Sequence, residues 1–550
     1  MQSIYFTEEH ESFRRSVRRF VTEEVAPHAE AWEQEGRIPR SIFRRMGELG
    51  FLGILHPEAY GGQEADLFFA IAFLEELPRS LMGGVCASVS VQQFMATAHI
   101  AANGSEDLKR RYLAPSIAGA TVGALAITEP DTGSDVASIR TRAQRDGDHF
   151  VVNGAKTFIT NGAEGDFFTL AVRTGSAEDG AAGISLLAVD ADTPGVRVAR
   201  RLRKLGWHSS DTAELSFEEV RVPAGHLIGE ENSGFYQIME AFALERLCGA
   251  AISIGSSVVA LDFTRRYMAQ RKAFGRPLDR FQVLRHRMAD LYAELEAARQ
   301  LTYHAAWLRR EGRPAVLESS MAKLMATELG KKVADECLQF FGGYGFMEEY
   351  PAARFYRDAR AATIAAGTSE IMREIIIRLA LDQGSPEEEG AAPAARPPSQ
   401  TTHPEPPRPA GAGPQAPAPS APPEPSPSAP PAGDVPAPPE PPRTVEALMR
   451  SLPTRLRPGK TEGWRSLFHY RIQGAASPEW TVRIDGESVS VSEGLDGEPD
   501  CRVEMKEATY LGIETGTLNP QSAFMMGKVK VSNLAEMMRF IQAFRPVRSR

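Results

Sequence analysis

Residues 384–443 cannot build a folded core, and this stretch decides how the rest of the 550-residue chain is organised. It consists largely of Pro, Ala, Glu, Ser and Gly, contains no aromatic residue, and holds more than half of the chain's 39 prolines. Such a composition buries too little apolar surface to offset the entropy lost on ordering. The sequence therefore predicts a disordered Pro/Ala-rich linker over 383–443. It should be locally extended and span ~100 Å or more if mostly polyproline-II-like. Two parts of the chain then fold separately and move independently.

The larger part changes texture three times. In 1–123, Phe13, Val17, Phe20, Val21 and Val25 recur at helical spacing and 67–77 is another apolar helical run, so this block reads as all-α. In 124–230 the period shortens to that of strands at 150–152, 157–160, 168–172, 184–189 and 213–217, with Asn153-Gly154 read as a turn between the first two. In 231–382 long helical periods return at 238–268, 281–310 and 319–341, with Gly275 and Pro277 breaking the chain between the first two. Beyond the linker, 444–550 reads as a compact α+β unit with strands at 466–472, 480–484, 487–491 and 501–505.

A formal net charge of −9 with no strongly basic half gives a polyanion little to hold, so nucleic acid is not an expected partner. Cys86, Cys248, Cys337 and Cys501 are widely spaced without a CxxC pair, which suggests neither a metal cluster nor a disulfide framework and fits a reducing compartment. No basic region followed by an apolar run opens the chain, and no uninterrupted apolar stretch reaches the roughly 20 residues of a membrane span. A cytoplasmic protein without stable membrane insertion is the expectation.

Two segments carry the chemistry. Ala126-Ile127-Thr128-Glu129-Pro130-Asp131-Thr132-Gly133-Ser134-Asp135 presents short hydroxyl side chains, a glycine and a proline, which can offer hydrogen bonds to a planar polar ligand without crowding it. Alone it reads equally as a surface turn. Gln339-Phe340-Phe341-Gly342-Gly343-Tyr344-Gly345-Phe346 follows a long helix, and alone it reads as a helix C-cap and turn. It is not a dinucleotide GxGxxG, because no strand precedes it.

Taken together, about two hundred residues apart in a helix–β–helix chain, these segments resemble the two signatures of the acyl-CoA dehydrogenase family. Further agreement lies in Gly154-Ala155-Lys156-Thr157-Phe158-Ile159-Thr160-Asn161-Gly162, in Gln270-Arg271-Lys272-Ala273-Phe274-Gly275 and in Ala366-Gly367-Thr368-Ser369-Glu370-Ile371. The resemblance implies the family's fold: an N-terminal all-α domain, a middle β-barrel and a C-terminal four-helix bundle. It also implies FAD between the β domain and the second helical domain, completed by a neighbouring subunit of a homotetramer or homodimer. Matching positions make Thr128, Ser134, Phe158 and Thr160 candidates for the flavin ring, with Phe158 standing where tryptophan is usual. Arg271 and Phe274 would reach FAD across a subunit interface, and Gln339, Gly343, Thr368 and Glu370 would complete the nucleotide contacts. Ser134, Arg246, Ala366 and Gly367 are the implied substrate contacts.

The family's reaction removes a proton from the thioester α-carbon and a hydride from the β-carbon, and a weakly acidic C–H needs a carboxylate base in a dry pocket. The commonest position for that base precedes the Gly-Thr of the last motif, and here it is Ala366. The isovaleryl and long-chain branches instead place a glutamate directly before an arginine on an earlier helix, and Phe242-Ala243-Leu244-Glu245-Arg246-Leu247 matches. Glu245 is the expected base. Without that context a helical glutamate is usually a surface ion-pair partner of a neighbour. The Ala366 N–H would remain an oxyanion donor.

The C-terminal unit resembles the sterol carrier protein 2 family through Thr515-Gly516-Thr517-Leu518-Asn519-Pro520-Gln521-Ser522-Ala523-Phe524-Met525-Met526-Gly527-Lys528, after strands that hold Trp480. The resemblance implies a tunnel for a lipid ligand, which adaptable side chains such as Phe524, Met525, Met526, Met537 and Met538 would suit, though such residues are also ordinary core. The expected activity is FAD-dependent dehydrogenation of a medium, long or lipid-like acyl-CoA to the trans-2-enoyl-CoA, with electrons passed to an electron-transfer flavoprotein. The alternatives are an oxygen-using acyl-CoA oxidase and a lipid-binding scaffold whose dehydrogenase region is inactive.

Overall fold

The computed structural model describes residues 3–382, 444–457, 461, 463–515, 523 and 528–544. The linker expected at 383–443 lies outside the described residues, as do Gly516 to Ser522, Phe524, Met525, Met526, Gly527 and the Met538 side chain. The chain divides into two compact units, Met1–Ala380 and Leu381–Arg550.

In the first unit, the helices used below are α1 (Glu8–Phe20), α2 (Leu67–Glu76), α3 (Gly83–Val91), α4 (Gly234–Gln270), α5 (Gln282–Arg310), α6 (Val316–Phe341), α7 (Pro351–Ala362) and α8 (Ser369–Asp382). Helix α1 begins at a capping box: the Thr7 hydroxyl accepts the His10 N–H while the His10 ring accepts the Thr7 N–H. It buries Val17 and Phe20 against α2, whose residues 70–76 are all buried. Helix α4 runs for 37 residues and is long and apolar enough to cross a membrane, but most of its apolar positions are packed inside the bundle. It crosses α2 so closely that a Cβ at Gly255 would lie 2.3 Å from the Glu75 carbonyl oxygen. Helix α6 packs along α4 and α5, with α7 against α6.

The middle of this unit is an eight-stranded sheet: β1 (Gly123–Ala126), β2 (Arg142–Asp146), β3 (His149–Thr160), β4 (Phe167–Arg173), β5 (Ile184–Asp190), β6 (Val196–Arg201), β7 (Thr212–Pro223) and β8 (Leu227–Ile228). The order is β6-β7-β3-β2-β4-β5-β8, with β1 parallel to β4. Leu187 and Val189 of β5 share one core with Leu215 and Phe217 of β7, so the sheet closes around its own interior as a barrel does. The Asn153-Gly154 turn expected from the sequence does not form. Strand β3 runs straight through it with a bulge, because a Cβ at Gly154 would come within 2.6 Å of Thr141 Oγ1; the glycine permits close packing and not chain reversal.

In the second unit, strands β9 (Arg465–Gln473), β10 (Glu479–Asp485), β11 (Ser488–Glu493), β12 (Cys501–Lys506) and β13 (Val529–Val531) form a sheet of order β11-β10-β9-β12-β13. Helices α9 (Val445–Arg450), α10 (Glu507–Glu514) and α11 (Leu534–Ala543) accompany it. Trp480, Phe468 and Leu448 are fully buried in its core, and Met537 packs half-buried against them.

Candidate active site

A cavity of about 200 Å³ lies where α3, α4, α6 and the α7–α8 turn converge. On α4 the residues lining it are Glu245, Cys248, Gly249, Ile252, Ser253, Ser256, Ser257 and Ala260, which continue the i, i+3, i+4, i+7 spacing of one helix face. Thr160 reaches it from the end of β3 and Ala366 from the turn before α8, so three residues singled out from separate motifs meet in one space.

Glu245 is 4% exposed, and its Oε1 has no hydrogen-bond partner. Burial pushes its carboxyl up to about 7, with Arg246 pulling weakly the other way. Arg246, turned about 100° around the helix, sits over the Phe242 ring and donates to Ser320 Oγ at 3.3 Å. Its guanidinium is pushed down to about 10 by burial. The reading of Glu245 as a solvated ion-pair partner therefore has no geometric basis. Lys323 of α6 also lines the cavity, donates to the Gly367 carbonyl at 2.5 Å and is lowered to about 8, first by burial and then by Arg246. Sequence reasoning passed over this lysine. Its signal was a lone charge in the small and apolar run Ser319-Ser320-Met321-Ala322-Lys323-Leu324-Met325-Ala326.

The loop after β1 is stapled from beneath. Buried Lys156 donates to Glu129 at 2.8 Å and to the Ile127 carbonyl at 2.9 Å, and Glu129 accepts the N–H groups of Arg140 and Thr141. The Thr157 N–H donates to the Thr128 carbonyl at 2.9 Å, which ties the loop to β3. A second register shift then re-aims the strand: Phe158 takes φ 59° and stands 68% exposed, while Thr160 turns toward the cavity. Thr128 is half-buried, Ser134 is exposed, and the buried Thr132 Oγ1 has no partner. An outward aromatic face near short hydroxyl side chains, two residues before Thr160 on the cavity wall, suits the flat, edge-polar ring of a flavin.

The remaining candidates lie elsewhere. Arg271 caps α4, about 40 Å along the helix from Glu245 at 1.5 Å per residue. Its guanidinium is 5.4 Å from the Tyr344 ring, which places it beside the segment holding exposed Gln339 and Gly343. Phe274 is 95% exposed. None of these four lines the cavity. Gly367 and Thr368 are half-buried at the turn, and Glu370 is an exposed residue of the first turn of α8.

Family models match in the same order as the structure: the acyl-CoA dehydrogenase N-terminal domain over 7–120, the middle domain over 124–220, the C-terminal domain over 232–381, and the SCP-2 sterol transfer family over 446–545. The chain is 41% identical over 374 residues to the long-chain specific acyl-CoA dehydrogenase, mitochondrial, of Sus scrofa, covering 68% of this chain and 86% of that one. An acyl-CoA dehydrogenase structure from Geobacillus kaustophilus superposes with a TM-score of 0.66 at 41% identity, over 69% of this chain and all of that one. A chain solved in work on the electron transferring flavoprotein of Acidaminococcus fermentans and flavin-based electron bifurcation superposes at 0.67 with 36% identity, over 69% of this chain and 100% of that one. The chain belongs to the acyl-CoA dehydrogenase family of FAD-dependent oxidoreductases and carries a C-terminal SCP-2 domain.

Proposed function

We propose that this enzyme converts a medium, long or lipid-like acyl-CoA to its trans-2-enoyl-CoA, with Glu245 as the base. One observation carries this reading: a buried, unpartnered carboxyl faces the same cavity as Thr160 and Ala366. Glu245 takes the α-proton, the Ala366 N–H holds the thioester oxygen as negative charge develops there, and the burial of Glu245 among mostly apolar walls keeps the carboxylate dry. FAD, when bound, accepts the hydride from the β-carbon. Thr128, Ser134, Phe158, Thr160, Thr368 and Glu370 hold it from one chain, and Arg271, Phe274, Gln339 and Gly343 are contributed by a neighbouring subunit of a homotetramer. The roughly 40 Å between Glu245 and Arg271 on one helix supports that division.

Arg246 and Gly367 complete the CoA-side contacts. Similarity to a long-chain specific relative supports the chain length, and similarity to a chain studied with an electron transferring flavoprotein supports that acceptor. The C-terminal domain carries a lipid ligand within this reading. Four free, buried thiols suit the reducing cytoplasm. The test is anaerobic mixing of the holoenzyme and of Glu245→Gln with a series of acyl-CoAs while flavin absorbance is followed. Prompt bleaching by the parent and none by the variant is expected; no bleaching with any chain length overturns the proposal.

A further inference from the structure

Lys323 is 1% exposed, lines the cavity, and makes no ion pair within 4 Å among the described residues, Glu328 and Glu370 acting on its charge only from farther away. A buried ammonium is costly unless paired, and this one lies near a second cation, Arg246. Its hydrogen bond goes to the carbonyl of Gly367, in a turn where Ala366 takes φ 53° and Gly367 φ 90°. An alanine in the left-handed region is strained and persists where its surroundings hold it. Outside the cavity, Ser369 Oγ donates to Glu328 Oε1 at 2.7 Å and the Ser369 N–H donates to the Thr363 carbonyl at 3.0 Å. Inside it, Lys323 is the side chain that grips the turn. A neutral donor would suffice for anchoring alone. A cation adds positive potential at the place where the proposed reaction develops negative charge.

We propose that Lys323 is a positioning residue: through the Gly367 carbonyl it fixes the Ala366–Gly367 turn so that the Ala366 N–H meets the thioester oxygen, and its charge favours the enolate over the ground-state thioester. This rests on the reading of Glu245 as the base. No new bond or redox step is involved; the α-proton still goes to Glu245.

The experiment uses flavin-loaded full-length protein as parent, Lys323→Met, Lys323→Arg and Glu245→Gln. Two readouts are taken: anaerobic flavin bleaching by an acyl-CoA, and affinity for two CoA ligands of equal chain length. One ligand is a 3-oxoacyl-CoA, which ionises to an enolate; the other is an S-alkyl-CoA thioether, which has no carbonyl. Lys323→Met should lower kcat about 100-fold, the usual scale for losing an oxyanion donor, with little change in KM. It should weaken the 3-oxoacyl ligand and spare the thioether, and Lys323→Arg should recover much of both losses. Unchanged kcat, or equal weakening of both ligands, overturns the proposal. Glu245→Gln as active as the parent sinks the base reading instead, while the two-ligand comparison, which needs no turnover, still reports on Lys323. Should Lys323→Met fail to retain flavin, Lys323→Gln, neutral but still a donor, carries the same comparison.

Discussion

The carboxylate of Asp358 accepts the backbone N–H of Trp207 at 2.6 Å, joining helix α7 to the loop between β6 and β7. Its other oxygen accepts the N–H of Gly83 at 2.9 Å, at the start of α3, so one buried side chain fastens all three regions of the first unit. The fit is tight: a Cβ at Gly206 would lie 2.6 Å from Oδ1 and one at Gly83 2.8 Å from Oδ2. Asp358→Ala strands two buried donors and should cost about 3 kcal/mol, at 1–3 kcal/mol for each unsatisfied group. Thermal unfolding should show a drop of several degrees together with lower flavin content.

Glu245, as the proposed base, must be ionised to work. With the Glu245 carboxyl raised to about 7 by burial, kcat/KM should climb about tenfold per pH unit below that value and level off above it. Glu245→Gln should lose activity by roughly 10³-fold. A profile flat from pH 5 to pH 8, at about the extremes over which such a group titrates, would show that another group takes the proton.

The same burial makes stability depend on pH. The folded-state pKa of Glu245, about 7, lies above its ordinary value of 4.5, so the native protein binds more protons between the two. Stability from this group is therefore full below about 4.5 and falls as pH rises through about 7, by order 3 kcal/mol at 1.36 kcal/mol per unit. Glu245→Gln should be inactive yet more stable than the parent at alkaline pH, a difference that urea titrations on either side of neutrality would read.

Two glycines of α4 should respond in opposite ways. Gly255→Ala drives a methyl to within 2.3 Å of the Glu75 carbonyl and should cost 1–3 kcal/mol by forcing α2 and α4 apart. A Cβ at Gly249 meets nothing within 4 Å and projects from the cavity-lining face. Gly249→Ala should raise the melting temperature slightly, since alanine is favoured over glycine in a helix interior by about 1 kcal/mol, and shift turnover toward shorter acyl chains, which a chain-length series of kcat/KM values would show.

Helices with strong apolar periods, such as α4 and α6, are legible in the sequence because tertiary packing and local pattern agree. The β2 and β6 segments are not. Arg142-Ala143-Gln144-Arg145-Asp146 and Val196-Arg197-Val198-Ala199-Arg200-Arg201 are mostly solvent-facing, and only their partners β3 and β7 make them strands. Asn153-Gly154 misled because a glycine that permits close approach has the same letters as one that reverses the chain. Within the site, Glu245 could be read from its neighbouring arginine and the loss at Ala366. Lys323 left only a faint signal, a lone charge in a small and apolar run, because a lysine in a helix looks like surface until α4 and the α7–α8 turn are packed around it.

Phe158, Phe274 and Phe346 stand 68%, 95% and 78% exposed. A newly made chain thus shows water three bare aromatic rings, the kind of surface that chaperones hold and aggregates recruit. Under the proposed reading, in which flavin lies against Phe158, yield of intact protein in the cell should follow riboflavin supply, so that vitamin shortage depletes the polypeptide itself as well as its catalytic output.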